Sequence, residues 1–111
     1  MIEDRRKSPR IPFREAVEIQ SSDESPLGSL SRDLSKSGMG IQSFSFFPLN
    51  ADIALNFRLN DSNVVEMQGN VIWVRQIPYS ESYYLGVQFS DNESAFYPKE
   101  KIGSFIQTQL H

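Results

Sequence analysis

The chain has 111 residues, 39% of them hydrophobic and 12% aromatic, with no cysteine, one histidine and a formal net charge of −3. A chain of this size and apolar content can bury a core of its own, which excludes a disordered polypeptide. The lack of cysteine excludes a disulfide framework, a thiolate metal site and a cysteine nucleophile. No apolar run approaches the roughly 18 residues of a membrane-spanning helix, and the opening residues lack the apolar stretch of a signal peptide, so the expected location is the cytoplasm.

Catalytic chemistry is poorly supplied. His111 is the last residue, a weak position for a rigid catalytic group or metal ligand, and the acidic residues are scattered singly. With no nucleophile–base pair and no usual zinc set, the expectation is no enzyme.

The chain opens on a basic stretch, "RRKSPR". Residues 1–14 carry Arg5, Arg6, Lys7, Arg10 and Arg14 against Glu3 and Asp4, a local charge of +3 that leaves −6 for the rest. Pro9 disfavours helix at Ser8, so residues 1–11 read as an extended or turned arm. Guanidinium groups pair bidentately with phosphate, donate to the O6 and N7 edge of guanine, and stack flat on purines. A plain solvated terminus is the other reading of the same residues.

Between residues 12 and 90 the dominant period is two, the signature of half-buried strands. Val17 and Ile19 alternate with Glu18 and Gln20 in "FREAVEIQ", and "SLSRDLS" and "MGIQSF" follow around a turn at Lys36, Ser37 and Gly38. Ile53, Leu55, Phe57 and Leu59 take one face of "ADIALNFRL"; Leu85, Val87 and Phe89 take one face of "SYYLGVQF" with Tyr83. In "VVEMQGNVIWVR", Val65, Met67, Val71 and Trp73 share a face, which predicts Trp73 in the core, with the rim of a ligand site as the alternative. Gly69 predicts a bulge or bend there. Arg75 is expected to face solvent, and Phe44, Phe46 and Phe47 to form core or a hydrophobic lid. Six strands with short connections predict an antiparallel all-β barrel, closed so that no edge is left. Ile102, Phe105, Ile106 and Gln109 or Leu110 recur at helical spacing, and Pro98 suits a first turn, so residues 92–110 predict one amphipathic helical segment.

Within "RDLSKSG", residues 32–38, strand alternation puts Asp33 and Ser35 on one face. Gly38 ends the turn, where a positive φ or a close backbone approach favours glycine. A carboxylate and a hydroxyl side by side accept hydrogen bonds from a planar donor pair such as N1–H and N2–H of guanine. The same residues equally suit an ordinary Asx or Ser turn.

Taken together, these elements are more specific than any one of them. Arg6-x-x-x-Arg10, then Asp33-x-Ser35-x-x-Gly38, the following "MGI", the late strands "VIWV" and "YYLGVQF" and a final helix resemble the PilZ domain family over nearly the whole chain. The resemblance implies a six-stranded antiparallel PilZ-type barrel with a C-terminal helix. Residues 1–111 would be one domain, with an Arg-rich arm over 1–11, the barrel over 12–90 and the helical segment over 92–110. It implies a bacterial receptor for cyclic di-guanosine monophosphate (c-di-GMP), with no metal and no cofactor beyond that regulatory ligand. By resemblance, Arg6 and Arg10 clamp phosphates and guanine edges, with Arg5 as an additional contact. Asp33 and Ser35 meet guanine, Gly38 allows the close approach, and Trp73 is a further candidate. Family members that lack the two signatures serve as interaction modules without the nucleotide; here both signatures are intact, so binding is expected. The arm is expected to be loose until the ligand draws it in, signalling to a separate protein of the motility, secretion or polysaccharide machinery. A monomer or homodimer fits equally. A nucleic-acid-binding barrel is opposed by the acidic body beyond residue 14.

Overall fold

Each segment of period two forms a strand of one antiparallel sheet. The computed structural model describes residues 9–21 and 27–110. β1 is Ile11–Pro12, β2 Ala16–Gln20, β3 Leu27–Leu34, β4 Gly38–Ser43, β5 Asp52–Asn60, β6 Asn63–Gln76 and β7 Tyr83–Phe89. Hydrogen bonds join β3, β2, β5, β6, β7 and β4 in that order, and β4 pairs back onto β3. Six strands therefore close into the expected barrel, which removes the unpaired edges of an open sheet. The two-residue β1 is an addition that alternation could not reveal; it pairs Ile11 with Leu34 and Pro12 with Asp33.

The inward face follows the alternation, with Val17 and Ile19 from β2, Leu55 and Phe57 from β5, and Leu85 and Val87 from β7 all buried. β3 differs, because serines take two of its inward positions. Ser31 donates to the carbonyl of Phe13 at 2.6 Å and accepts the Glu15 amide at 2.8 Å, while Ser29 donates to the Val17 carbonyl at 2.9 Å. Ser31 thereby satisfies the irregular backbone of residues 13–15, and Ser29 a carbonyl of β2, polar groups that would otherwise be costly to bury.

After a short 3₁₀ turn, Glu93–Ala95, helix α1 runs from Phe96 to Gln109. Pro98 falls in its first turn, where its missing N–H costs no helical hydrogen bond. Ile102 and Ile106 join the barrel core, and the Phe105 ring meets Phe13 edge-on at 5.7 Å. Leu110 stays exposed, so the apolar stripe ends at Ile106. Of the three phenylalanines before Pro48, only Phe47 is core; Phe44 and Phe46 are exposed.

Ahead of α1, Lys99 donates to the Asp91 carboxylate, and this hydrogen bond, with the ammonium charge, lowers the Asp91 pKa from 3.8. A depressed folded-state value contributes stability that is complete above the unfolded value and is lost as pH falls through the folded one. An NMR titration of Asp91 is expected to give a midpoint below 3.8 that rises in Lys99→Met; an unchanged midpoint would discount the pair.

Three ladders are irregular. One shift, between Arg58 and Asn60, lies beside the β5–β6 turn. The other two bear on the outer surface and fall between Ser31 and Asp33 on β3 and between Val71 and Trp73 on β6. Gly69, the position expected to bulge, instead keeps its register opposite Phe89. A Cβ there would lie 2.6 Å from the Val87 side chain, so the glycine makes room in the core and the bulge falls beyond it.

Candidate functional site

Bulges place two successive residues opposite one, which breaks the alternation of faces. On β3 the result is that Ser31 is buried while Arg32 and Asp33 both face outward. On β6 it turns Trp73 away from the core face of Val65, Met67 and Val71, leaving it 41% exposed. The expectation of a core tryptophan is thus corrected, because the extra residue at Ile72 reverses the count.

Cross-strand pairing then sets four residues in one row over the outer surface. Asp33 on β3 pairs with Gly40 on β4, Gly40 with Gly86 on β7, and Gly86 with Trp73 on β6. Residues directly opposite in a ladder point to the same side, so the carboxylate and the indole face each other across two glycines. Both lean inward over that floor. A Cβ on Gly40 would sit 2.8 Å from Asp33 Oδ1, and one on Gly86 would sit 2.1 Å from Trp73 Nε1. The row spans three strand spacings, at most about 14 Å. It forms a shallow trough with an acidic wall, an aromatic wall and a backbone floor.

Arg10 is delivered to this trough by β1. Because Pro12 pairs with Asp33, the residue two positions earlier lies beside the carboxylate, and Arg10 Nη1 is 2.5 Å from Asp33 Oδ1. The same oxygen accepts the Gly40 amide at 3.0 Å. Asp33 is therefore held from two directions, and its second oxygen has no hydrogen bond to a described residue. In chemical terms the site offers a fixed carboxylate acceptor, a guanidinium that spends one N–H on Asp33 among the described residues, and a partly exposed indole.

Ser35 is not on the open face with Asp33. β3 ends at Leu34, and Ser35 is buried within the following turn. Its hydroxyl oxygen accepts the Gly38 and Ser37 amides at 3.1 and 3.2 Å, and its own amide bonds to the Gly38 carbonyl at 2.8 Å. Strand alternation stops at Leu34, so the period that pairs Asp33 with Ser35 does not reach the serine. At Gly38 the reason for glycine is close approach rather than a positive φ. No described glycine has a positive φ, while a Cβ at Gly38 would lie 2.3 Å from the Val87 carbonyl oxygen. Lys36, within the same turn, reaches Glu100 of α1 at 3.2 Å. Arg5 and Arg6 lie outside the described residues.

The floor glycines, Gly40 and Gly86, are site residues that the motifs do not mark. Their signal is in the sequence, in "MGI" and "YLGV", but only the register shows that they stand side by side.

Residues 4–107 match the family model described as PilZ domain. The chain belongs to the PilZ domain family. Among solved structures, this PilZ domain is similar to the Bacillus subtilis inhibitor of motility (MotI/DgrA), with a TM-score of 0.77 and 20% identity over 94% of this chain and 51% of that one. It is similar to Escherichia coli YcgR in complex with c-di-GMP, with a TM-score of 0.76 and 16% identity over 96% of this chain and 46% of that one. The PilZ domain of YcgR with c-di-GMP matches at a TM-score of 0.68 and 19% identity, over 95% and 94% of the two chains. The PilZ domain described here thus spans about half the length of MotI and of full YcgR. No curated protein matches it by sequence.

Proposed function

We propose that the chain is a c-di-GMP receptor that passes the ligand's arrival to a separate protein. The observation that carries this reading is the meeting of Arg10 and Asp33 over a glycine floor that faces Trp73. Family membership supports it, as do the two YcgR structures that hold c-di-GMP on the same fold. Guanine presents N1–H and N2–H as one donor edge, which the Asp33 carboxylate accepts. Its O6 and N7 form an acceptor edge that matches a guanidinium fork. Trp73 supplies a flat apolar surface on which a purine stacks. Ser35 acts through the turn it holds, keeping Asp33 and Gly40 in register. Arg5 and Arg6 add phosphate contacts on the side of Arg10. Drawing them onto the trough converts ligand binding into an altered surface for the partner, an order–disorder switch.

Titration of c-di-GMP into the chain, followed by calorimetry, is the direct test. Trp73 is the sole tryptophan, so its emission reports the trough without a label. A saturable heat, a change in Trp73 emission and affinity that falls with added salt are expected, since arginine–phosphate pairing is screened. Backbone order parameters over residues 4–8 are expected to rise on binding, while Ile11, already paired in β1, is expected to change little. A flat titration rejects the reading and favours a ligand-independent interaction module.

A further inference from the structure

One side of the trough continues into a group of rings and guanidiniums that the two signature motifs do not include. The bulge that turns Asp33 outward also turns Arg32 outward, and the Arg32 Cζ lies 4.0 Å from the centre of the Tyr84 ring. Arg75 pairs with Tyr84 across β6 and β7. Its Cζ is 5.7 Å from the same ring and 5.9 Å from Trp73. Two guanidiniums therefore share one tyrosine. Among the described residues neither has an ion pair with a carboxylate; the ion pairs present are Arg10–Asp33, Lys36–Glu100 and Lys99–Asp91.

Charge decides what this arrangement is suited to. Cation–π contact at an exposed ring is weakly favourable, but two like charges on one ring repel. Among the described residues, Arg10 meets a carboxylate and Arg32 and Arg75 do not, so within that set these two positive charges have no ion-pair partner. A cyclic dinucleotide carries two phosphodiester charges. Arg32 lies against Tyr84 and is held there before any ligand arrives, so less side-chain freedom is lost on binding. Its N–H edge and remaining face suit a phosphate and a purine.

We infer that Arg32, Tyr84 and Arg75 form a second anion-binding subsite, which takes the phosphodiester and stacked purine of the ligand half not held by Arg10 and Asp33. This rests on the c-di-GMP reading and assigns roles to residues outside the signature motifs. Calorimetry with c-di-GMP at several salt concentrations, on the full chain and on the Arg32→Gln/Arg75→Gln double variant, tests it. The double variant is expected to bind at least about tenfold more weakly, with the slope of log affinity against log salt reduced by about one to two. In the unaltered chain, the Tyr84 ring and the Arg32 and Arg75 Nε–Hε resonances are expected to shift on titration. That readout decides the matter if the double variant does not fold. Unchanged affinity and slope in the double variant, or unmoved Tyr84 and arginine resonances in a chain that binds c-di-GMP, overturn the subsite alone and leave a purely structural stack. No binding by the unaltered chain overturns the subsite together with the reading beneath it.

Discussion

Arg10→Ala is expected to weaken c-di-GMP binding by about 1–3 kcal/mol, the scale of one bidentate guanine contact. That corresponds to roughly 5- to 150-fold in affinity. Stability should hardly change, because the Arg10–Asp33 pair is partly open to water, with side chains 48% and 33% exposed, and such pairs contribute about 0.2–1 kcal/mol. Arg10→Lys keeps the charge but loses the planar fork, so its affinity is expected between the two. Asp33→Ala is expected to cost at least as much binding as Arg10→Ala. It removes the acceptor for guanine and also the group that anchors Arg10 and the Gly40 amide. Calorimetry on the three variants checks the series. Unchanged affinity in both Arg10→Ala and Asp33→Ala would reject the assigned site.

Gly38→Ala is expected to act chiefly on the fold. The added methyl would lie 2.3 Å from the Val87 carbonyl oxygen. That atom belongs to the β4–β7 ladder and cannot rotate away as a side-chain tip would. Overpacking of this kind costs about 1–3 kcal/mol, and each kcal/mol lowers the Tm of a domain this size by about 4–8 °C. Pushing β4 from β7 also disturbs the turn bonded to Ser35 and the seat of Gly40, so ligand affinity is expected to fall with stability. Gly28→Ala is the control. A Cβ there meets nothing within 4 Å, and its effect should stay within about 0.5 kcal/mol. Thermal melts of the two variants that coincide would refute the close-approach argument for Gly38.

Much of the barrel is legible in the sequence because alternation is a strong signal where one face of a strand is buried and the other wet. Ile53 to Leu59 and Leu85 to Phe89 illustrate this. The site is legible in its residue types but less so in its geometry. Asp33 and Trp73 owe their outward placement to bulges, which arise from how two strands share hydrogen bonds and leave no period in either sequence. Counting by twos therefore puts Trp73 on the wrong side of β6 and sets Ser35 beside Asp33. β1 escapes notice for a different reason: two residues carry no periodicity, yet their pairing with β3 is what brings Arg10 to the carboxylate. The roles of Gly40 and Gly86 need the register of three ladders at once.

The pairing of β3 with β4 is the last bond that turns a sheet into a barrel, and it is also where Asp33, Ser35, Gly38 and Gly40 reside. A ligand gripped there works as a clasp on a seam: the strands cannot part until it leaves. At a concentration about 100 times its dissociation constant, such a ligand adds about 2.7 kcal/mol to the free energy of any opening that separates them. Amide hydrogens that exchange only when the seam parts would then be retained about a hundredfold longer, while those released by fraying elsewhere keep their pace. Occupancy would thus be recorded in the lifetime of a closed ring as much as in the surface a partner meets.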